Sequence, residues 1–233
     1  MVTISTPVHY PDSDGQPMAD NTKQFEVIVY IKKGCDWLFL NDPNVFVAGD
    51  LLWYPIEGNN KLRQAPDVMV IFGRPKGDRG SYQQWKEENV APQVVFEVIS
   101  PGNTIPEMTR KFQFYDRYGV EEYYIYDPDR LSLGGFQRQE GQLEAIEEID
   151  SWISPRLGVR FTLSLEGQLV LYRPDGQPFE TYEQIAERAE QQRAIAEQQR
   201  LIADQQRLRA EAAEEEIERL KAQLKALGTP PEE

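Results

Sequence analysis

The stretch PQVVFEVIS, residues 92–100, has the pattern of a short apolar strand with one charge inside it. A similar run, PDVMVIFG, occupies residues 66–73, and Pro and Gly bound both segments. Apolar runs of this length are typical of strands buried in a sheet. In the first run Glu97 lies between Phe96 and Val98. A carboxylate there is costly unless a neighbouring group compensates it.

A compensating charge is available on the next predicted helix, residues 106–118, which ends at Gly119. Lys111 borders the apolar face of this helix rather than the opposite face. That face is formed by Met108, Phe112, Tyr115 and Tyr118. Asp67 opens the other apolar strand, so it is expected at a strand end facing the same cleft. Two carboxylates and a lysine suit a metal-dependent phosphodiesterase, since carboxylates bind Mg²⁺ and a lysine positions water or offsets developing charge.

Each of these three residues also has a simpler interpretation. Asp67 is compatible with a strand cap, Glu97 with a buried ion pair, and Lys111 with a surface lysine whose stem packs on apolar neighbours. A further alternative uses the two carboxylates as acid and base in glycoside hydrolysis, although the lysine argues against it. The set, in this order along the chain, favours the phosphodiesterase.

The flanking sequence alternates between helical and strand patterns. A helix is expected over residues 20–38, and strands over 45–55 (bent at Gly49), 66–73, 92–100 and 121–128, with the helix 106–118 between the last two. Further strands are expected around 132–138, 142–149 and 168–173. This order predicts a mixed α/β fold.

The run from Pro66–Asp67 through FEVIS and Pro101, Lys111-x-x-x-Tyr115 and GVEEYYIYDP (residues 119–128) resembles the Uma-type restriction-endonuclease family. That family is an offshoot of the P-D…(D/E)-x-K nuclease superfamily, and the similarity extends over about residues 20–178. The resemblance implies a restriction-endonuclease-like core, with a central mixed sheet flanked by helices. It also implies Mg²⁺ or Mn²⁺ at Asp67 and Glu97, with Lys111 as the catalytic lysine.

One position departs from the superfamily pattern, which places a lysine two residues after the strand glutamate, where this sequence has Ile99. The lysine is expected to be displaced to the following helix. An acidic or amide residue of the first helix often assists in the superfamily, and Gln24 and Glu26 are both candidates. Asp50, beside a bend, and Asp127, at a strand end, are further candidates.

A basic loop, GRPKGDRGSY (residues 73–82), follows the Asp67 strand and carries Arg74, Lys76 and Arg79. These cations are expected near the proposed site, where they would contact a nucleic-acid backbone. An exposed charged loop with no such role is an equally open alternative.

Composition excludes several kinds of chemistry. The 233 residues include 39 acidic and 25 basic side chains, one histidine and one cysteine, for a net charge of −14. Zinc sites and disulfide frameworks are therefore excluded. His9 lies in TPVHYPDSDGQP, a stretch typical of a surface loop rather than of a catalytic support. Because phosphate contacts require clustered cations, DNA binding would have to be local, and weak without metal.

The composition also bears on location. The sequence contains no apolar run of the roughly 18 residues that a membrane span needs. Met1–Tyr10 lacks the basic-then-apolar order of a signal peptide. The sequence therefore predicts a cytoplasmic protein without membrane contact.

The chain changes character near residue 180, which predicts a loop segment (1–19), a nuclease-like domain (20–179) and a helical tail (180–233). The tail contains three consecutive heptads, QQRAIAE, QQRLIAD and QQRLRAE, and is expected to stop at Gly228 and Pro230–Pro231. One seam with alternating spacings of four and three comprises Ile185, Ala189, Gln192, Ala196, Gln199, Ala203, Gln206, Ala210, Ala213, Ile217, Leu220, Leu224 and Leu227.

Such a heptad pattern is typical of a coiled coil and predicts a homo-oligomer, most simply a dimer. The alternative is a solvated single helix supported by charge pairs. Two functions follow for the whole chain. One is a Mg²⁺-dependent DNA endonuclease. The other is an inactive nuclease-like module that binds or assembles through its tail.

Overall fold

The computed structural model describes residues 8–15 and 17–226. The chain divides into two compact units, one up to Glu180 and one from Thr181 onward. Several sequence features lie outside the described residues, namely Met1–Pro7 of the N-terminal segment, the seam residue Leu227, and the stop at Gly228 and Pro230–Pro231.

A mixed β-sheet forms the centre of the first unit. Its six strands are β1 (Val45–Gly49), β3 (Val68–Phe72), β5 (Val94–Val98), β6 (Glu122–Asp127), β7 (Ser132–Gln139) and β8 (Gln142–Ala145). They are hydrogen-bonded in the order β1-β3-β5-β6-β7-β8. Neighbours are antiparallel except β5 and β6, which are parallel. The predicted α/β class with a central mixed sheet is confirmed.

Two smaller sheets accompany the central one. In the first, β2 (Trp53–Tyr54) pairs with β4 (Tyr82–Gln83), and a short 3-10 turn, Gln84–Lys86, follows directly. In the second, β9 (Arg160–Leu163) pairs with β10 (Leu169–Tyr172).

Helices α1 (Thr22–Leu38) and α2 (Ile105–Arg117) pack on opposite faces of the sheet. The reason is visible in β5, where successive side chains point to opposite faces. Phe96 packs in one buried cluster with Ile28 of α1. Val95 packs in the other cluster with Tyr115 of α2. Both faces of β5 are therefore covered, which explains its nearly continuous apolar sequence.

The predicted strand over residues 45–55 is wrong as a single element. The chain leaves the central sheet at Asp50, whose φ of 48° lies in the left-handed region that ends extended pairing. The segment resumes as β2 in a different sheet. The strand expected over 142–149 ends at Ala145, and the pattern did not indicate β9.

Local capping fixes the position of α2. The Thr104 side chain accepts a hydrogen bond from the backbone N–H of Glu107, and the Glu107 carboxylate accepts one from the backbone N–H of Thr104. Pro106 occupies the first turn, where a missing N–H has no cost. At the other end Gly119 has a φ of 88°, so the chain can reverse there into β6.

The described part of the second unit forms one helix, α3 (Tyr182–Ala226), which is 45 residues long and has no buried residue. The helix begins two residues after the start of the predicted tail, at residue 180, and extends to the last described residue. Within the part of the chain that the structure describes, no helix has both the length and the apolar composition of a bilayer span.

Candidate active site

Asp67 and Glu97 come together through the register of two neighbouring strands. Val68 of β3 is paired with Phe96 of the antiparallel strand β5, and the next pair is Met69 with Val95. The same register, carried one residue beyond β3, places Asp67 opposite Glu97. Residues opposite each other in an antiparallel pair share one face of the sheet. That face is the one covered by α2.

Glu97 is almost completely buried, with 2% of its surface exposed. Its Oε2 accepts a hydrogen bond from Lys111 Nζ at 2.8 Å, and its Oε1 accepts one from the Tyr115 hydroxyl at 2.5 Å. Both donors lie on α2, four residues apart, so they point from the same side of the helix. This cluster of one carboxylate and two donors is hereafter the Glu97 cluster. It compensates the charge that the sequence places inside an apolar strand.

Asp67 is 8% exposed, and its Oδ2 accepts a hydrogen bond from the backbone N–H of Val98 at 2.6 Å. Where the backbone pairing of β3 with β5 ends, this carboxylate oxygen therefore accepts the hydrogen bond in place of a backbone carbonyl. The other oxygen, Oδ1, accepts no hydrogen bond from the described residues. Burial, and then the charge of Glu97, raise the pKa of Asp67 well above its ordinary value, against the opposing effect of Lys111.

Lys111 supplies the positive charge of the site. Burial by itself lowers the pKa of its ammonium group, but the Glu97 and Asp67 carboxylates outweigh that effect and the net pKa is raised. The side chain is 15% exposed, so it lies at the boundary between the core and solvent. The lysine therefore remains charged and retains access to a molecule approaching from outside.

The sequence analysis placed Tyr115 on the apolar face of the helix and assigned no role to its hydroxyl, which here belongs to the Glu97 cluster. Tyr115 is fully buried, and its ring stacks on Trp53 at 6.4 Å between centroids with planes 3° apart. Burial and the adjacent Glu97 raise the pKa of its phenol well above the ordinary value, so the group stays a donor. The spacing Lys-x-x-x-Tyr on a helix was the available signal, because i and i+4 side chains meet the same neighbour.

The structure separates the remaining acidic and amide candidates. Gln24 is 6% exposed and donates from Nε2 to the Val98 carbonyl at 2.8 Å, whereas Glu26 is exposed. Asp50 lies beside the site, because its backbone N–H bonds to the Asp67 carbonyl at 3.3 Å. Burial, and then nearby Asp14, raise the pKa of Asp50, while Lys111 opposes the shift.

Asp127 lies outside the Glu97 cluster and shapes a turn. Its Oδ1 accepts hydrogen bonds from the backbone N–H groups of Asp129 and Arg130, each at 2.9 Å. These contacts end β6 and begin the turn into β7. The strand-ending interpretation of Asp127 accounts for all of these contacts.

The basic loop does not lie beside Asp67. It follows the carboxyl end of β3 while Asp67 precedes the amino end, and the five strand residues between span roughly 16 Å at about 3.3 Å each. The loop was expected near Asp67 because the two are close in sequence, but β3 lies between them and separates them along its length. Arg74 and Arg79 both pair with Glu87, at 3.0 and 2.7 Å. Lys76 Nζ donates to the carbonyl oxygen of Leu40 at 2.9 Å, just beyond α1.

Across residues 8–15 and 17–226, no group of three or more His, Cys, Asp and Glu side chains is arranged to hold a metal ion. The site therefore provides two neighbouring carboxylates, one lysine and one phenol, not a preformed cage of protein ligands. His9 is exposed, as expected for its loop.

Comparison with known protein families gives a match for this chain. Residues 22–166 match the profile of the Uma2 family, described as "Putative restriction endonuclease". The chain belongs to that family, which confirms the resemblance carried by the Pro-Asp, FEVIS and Tyr-Asp-Pro segments.

Among solved structures, the chain is similar to a "putative nuclease belonging to DUF820" from Anabaena variabilis ATCC 29413. The two share 15% sequence identity with a TM-score of 0.44, over 61% of this chain and 78% of that one. None of the curated proteins compared with this sequence matches it.

Proposed function

We propose that this protein is a metal-dependent endonuclease that hydrolyses phosphodiester bonds of DNA at Asp67, Glu97 and Lys111. One observation carries the proposal, namely the burial of two carboxylates on adjacent strands beside a lysine that remains partly accessible. Perturbed ionisable groups of this kind cluster at functional sites. Membership of the Uma2 family supports the same reaction class.

The residues present fit a magnesium or manganese ion. Mg²⁺ retains several waters and is commonly bound through one or two carboxylates rather than by a complete protein cage. Asp67 Oδ1 accepts no hydrogen bond from the described residues, and burial, then the neighbouring Glu97 charge, raise the pKa of Asp67. Asp67 and Glu97 would hold the ion, which when bound supplies Lewis acidity at the phosphate and an acidified water.

The protein residues have separate tasks in this proposal. Lys111 holds Glu97 in the metal-free protein and offers its charge to the scissile phosphate once substrate arrives. Tyr115 is a positioning residue that keeps Glu97 oriented from the opposite oxygen. Gln24 steadies the β5 backbone next to the site through the Val98 carbonyl.

DNA binding by this chain has to overcome a net charge of −14. Lys111 and a bound divalent ion would supply positive charge at the site itself. Contacts of Arg74, Lys76 and Arg79 with a DNA backbone stay a prediction. Their present partners are the Glu87 and Glu88 carboxylates and backbone carbonyls, so DNA would have to compete for them.

One observation favours the alternative of an inactive binding or assembly module. Both oxygens of Glu97 already accept hydrogen bonds, so the metal-free Glu97 cluster satisfies its own charge. A nuclease fold that only binds a partner would not need a carboxylate oxygen of Glu97 left free for a metal ion. Calorimetry separates the two functions, because only the endonuclease requires divalent ions to bind near Asp67.

We expect the purified full chain to cleave supercoiled plasmid DNA in Mg²⁺ or Mn²⁺ and to lose this activity in EDTA. The reason is that, in the proposed reaction, the bound ion supplies the acidified water that attacks the phosphate. Agarose-gel conversion of plasmid measures the outcome. Absence of both cleavage and calorimetric metal binding would favour the inactive module, whereas EDTA-insensitive hydrolysis would contradict the metal requirement.

Replacing Tyr115 by phenylalanine is expected to weaken Mn²⁺ binding by about tenfold, the lower end of the effect of removing a group that orients a ligand. Without the phenol, Glu97 turns further toward Lys111 and becomes less available to the ion. Titration followed by manganese electron paramagnetic resonance measures affinity without requiring activity. Tyr118→Phe, at the C-cap of α2, is the matched control. A folded Tyr115→Phe protein with unchanged Mn²⁺ affinity would show that the phenol is only structural.

A further inference from the structure

Five exposed apolar residues of α3 lie along one side of the helix, whereas Leu201 and Leu208 lie on another. Ile195 and Ile202 are 55% and 47% exposed, and Ile217, Leu220 and Leu224 are about half exposed as well. Residues seven apart lie within about 20° of each other around a helix. Adding the intervening positions gives one face, hereafter the α3 stripe, composed of Ile195, Gln199, Ile202, Gln206, Arg209, Ala213, Ile217, Leu220 and Leu224.

Apart from Arg209, the charged residues of the three heptads lie away from this stripe. Arg193 and Arg200 each precede a stripe isoleucine by two residues, which is about 200° around the helix. Acidic residues follow the arginines by four residues, the spacing of pairs within one helix. Arg207 shows this arrangement, with Asp204 at 3.6 Å and Glu211 at 3.8 Å. Arg207 therefore pairs within its own helix, and the spacing offers Arg193 and Arg200 the same kind of partner.

We propose that the α3 stripe is the seam of a parallel, in-register coiled coil with a second copy of this chain. This inference rests on α3 alone and is independent of the proposed chemistry. In its first half every second position of this seam is displaced by one residue from the alanine-rich seam predicted from the repeats, while Gln199 and Gln206 are common to both. Ile195 and Ile202 thereby replace Ala196 and Ala203, which buries much more apolar surface.

The glutamines identify the occupant as an identical helix in the same direction. In register, Gln199 meets Gln199 of the second copy, and each amide can donate to and accept from the other. An antiparallel copy aligned over the same stripe, Ile195 to Leu224, would instead place Gln199 against Leu220 and Gln206 against Ala213, where the amides would lack hydrogen-bonding groups. Polar residues at seam positions of this kind select register at some cost in stability.

Two features modify the seam without disrupting it. Two successive spacings of four residues, from Arg209 to Ala213 and from Ala213 to Ile217, interrupt the alternation of three and four. This interruption is a stutter, which locally unwinds the supercoil. Arg209 occupies one seam position, where its aliphatic stem can pack while its guanidinium extends to solvent. The strongest apolar segment, Ile217 to Leu224, then lies beyond the stutter.

The test compares two double variants of the full chain by sedimentation equilibrium. Ile195→Glu/Ile202→Glu is expected to raise the dimer dissociation constant by more than about a hundredfold, because each copy loses two buried isoleucines. The matched control is Leu201→Glu/Leu208→Glu. These leucines are each 59% exposed and are also seven residues apart, but lie about 100° around the helix from the stripe.

Direction is tested by a single cysteine at Gln199→Cys, which is expected to crosslink two copies under mild oxidation, while Arg200→Cys is not. A monomeric wild-type chain, two double variants that both remain dimeric, or dissociation by the leucine variant alone would overturn the seam. Crosslinking at position 200 in preference to 199 would overturn it as well. None of these outcomes bears on DNA cleavage, which is measured separately.

Discussion

We expect the Glu97→Ala variant to lose metal-dependent DNA cleavage. Its free energy of unfolding should fall by about 3–5 kcal/mol, the usual cost of removing one partner from a buried ion pair. The substitution leaves the Lys111 ammonium and the Tyr115 hydroxyl without their acceptor, although the lysine is only 15% exposed. Chemical denaturation measures stability and plasmid conversion measures cleavage. Unchanged cleavage by this variant would contradict the site.

Two further variants separate chemistry from folding. The double variant Glu97→Ala/Lys111→Ala removes both charges, so it is expected to regain part of the lost stability while remaining inactive. Glu122→Ala removes another carboxylate of the same sheet, which is 1% exposed and accepts hydrogen bonds from the Tyr124 hydroxyl and the Arg156 N–H. It is expected to destabilise the fold yet retain cleavage at temperatures where the protein is folded.

The second large effect concerns Asp67, for which function and stability should change in opposite directions. Asp67→Asn is expected to abolish divalent-metal binding and to stabilise the metal-free protein at neutral pH. Burial and Glu97 raise the pKa of Asp67 in the folded state, so its ionised form is disfavoured there. Asparagine remains neutral and can still accept the hydrogen bond from the Val98 N–H.

The sign of the pH dependence follows from this raised pKa. At pH below the ordinary aspartate range, Asp67 is protonated in both folded and unfolded chains, and the variant gains little. As pH rises toward and through the raised value, the wild type loses stability that the variant keeps. The difference in melting temperature in EDTA should therefore grow as pH rises above the ordinary aspartate range, by about 2–4 °C for each 1 kcal/mol of stability that the wild type loses.

Metal binding provides an independent measure of the same residue. Because a divalent ion must displace the proton from Asp67, wild-type affinity should strengthen as pH rises from 5 to 8, and the variant should show no such binding. Asp127→Asn is the control, since Asp127 is 9% exposed but accepts two backbone N–H bonds, and no stabilisation is expected. A pH-independent difference for Asp67→Asn would contradict a disfavoured charge.

Part of the candidate site was predictable from the sequence because burial and charge conflict visibly there. Glu97 interrupts an apolar strand, and Lys111 borders the apolar side of a helix, so each indicated a partner before any contact was known. Tyr115 was counted as an apolar residue because its ring dominates the periodicity. Its hydroxyl became identifiable as a donor only when the helix was seen over β5.

The choice between Gln24 and Glu26 also required the tertiary structure. The two residues are close in sequence on one helix, and only the docking of α1 shows that Gln24 is buried against β5. The basic loop is similar, since its distance from Asp67 depends on the length and direction of β3. Its partner Glu87 lies thirteen residues beyond Arg74 and is not indicated by local spacing.

Periodicity and charge inside apolar segments are local properties, so the sequence was sufficient to predict the mixed α/β class, the family, the long terminal helix and the pairing of Glu97 with Lys111. Only the folded chain shows that β2 leaves the central sheet, that Tyr115 completes the Glu97 cluster and that Arg74 and Arg79 pair with Glu87. These depend on contacts between residues far apart in the chain, and pairing across space is not encoded in the period of any one segment.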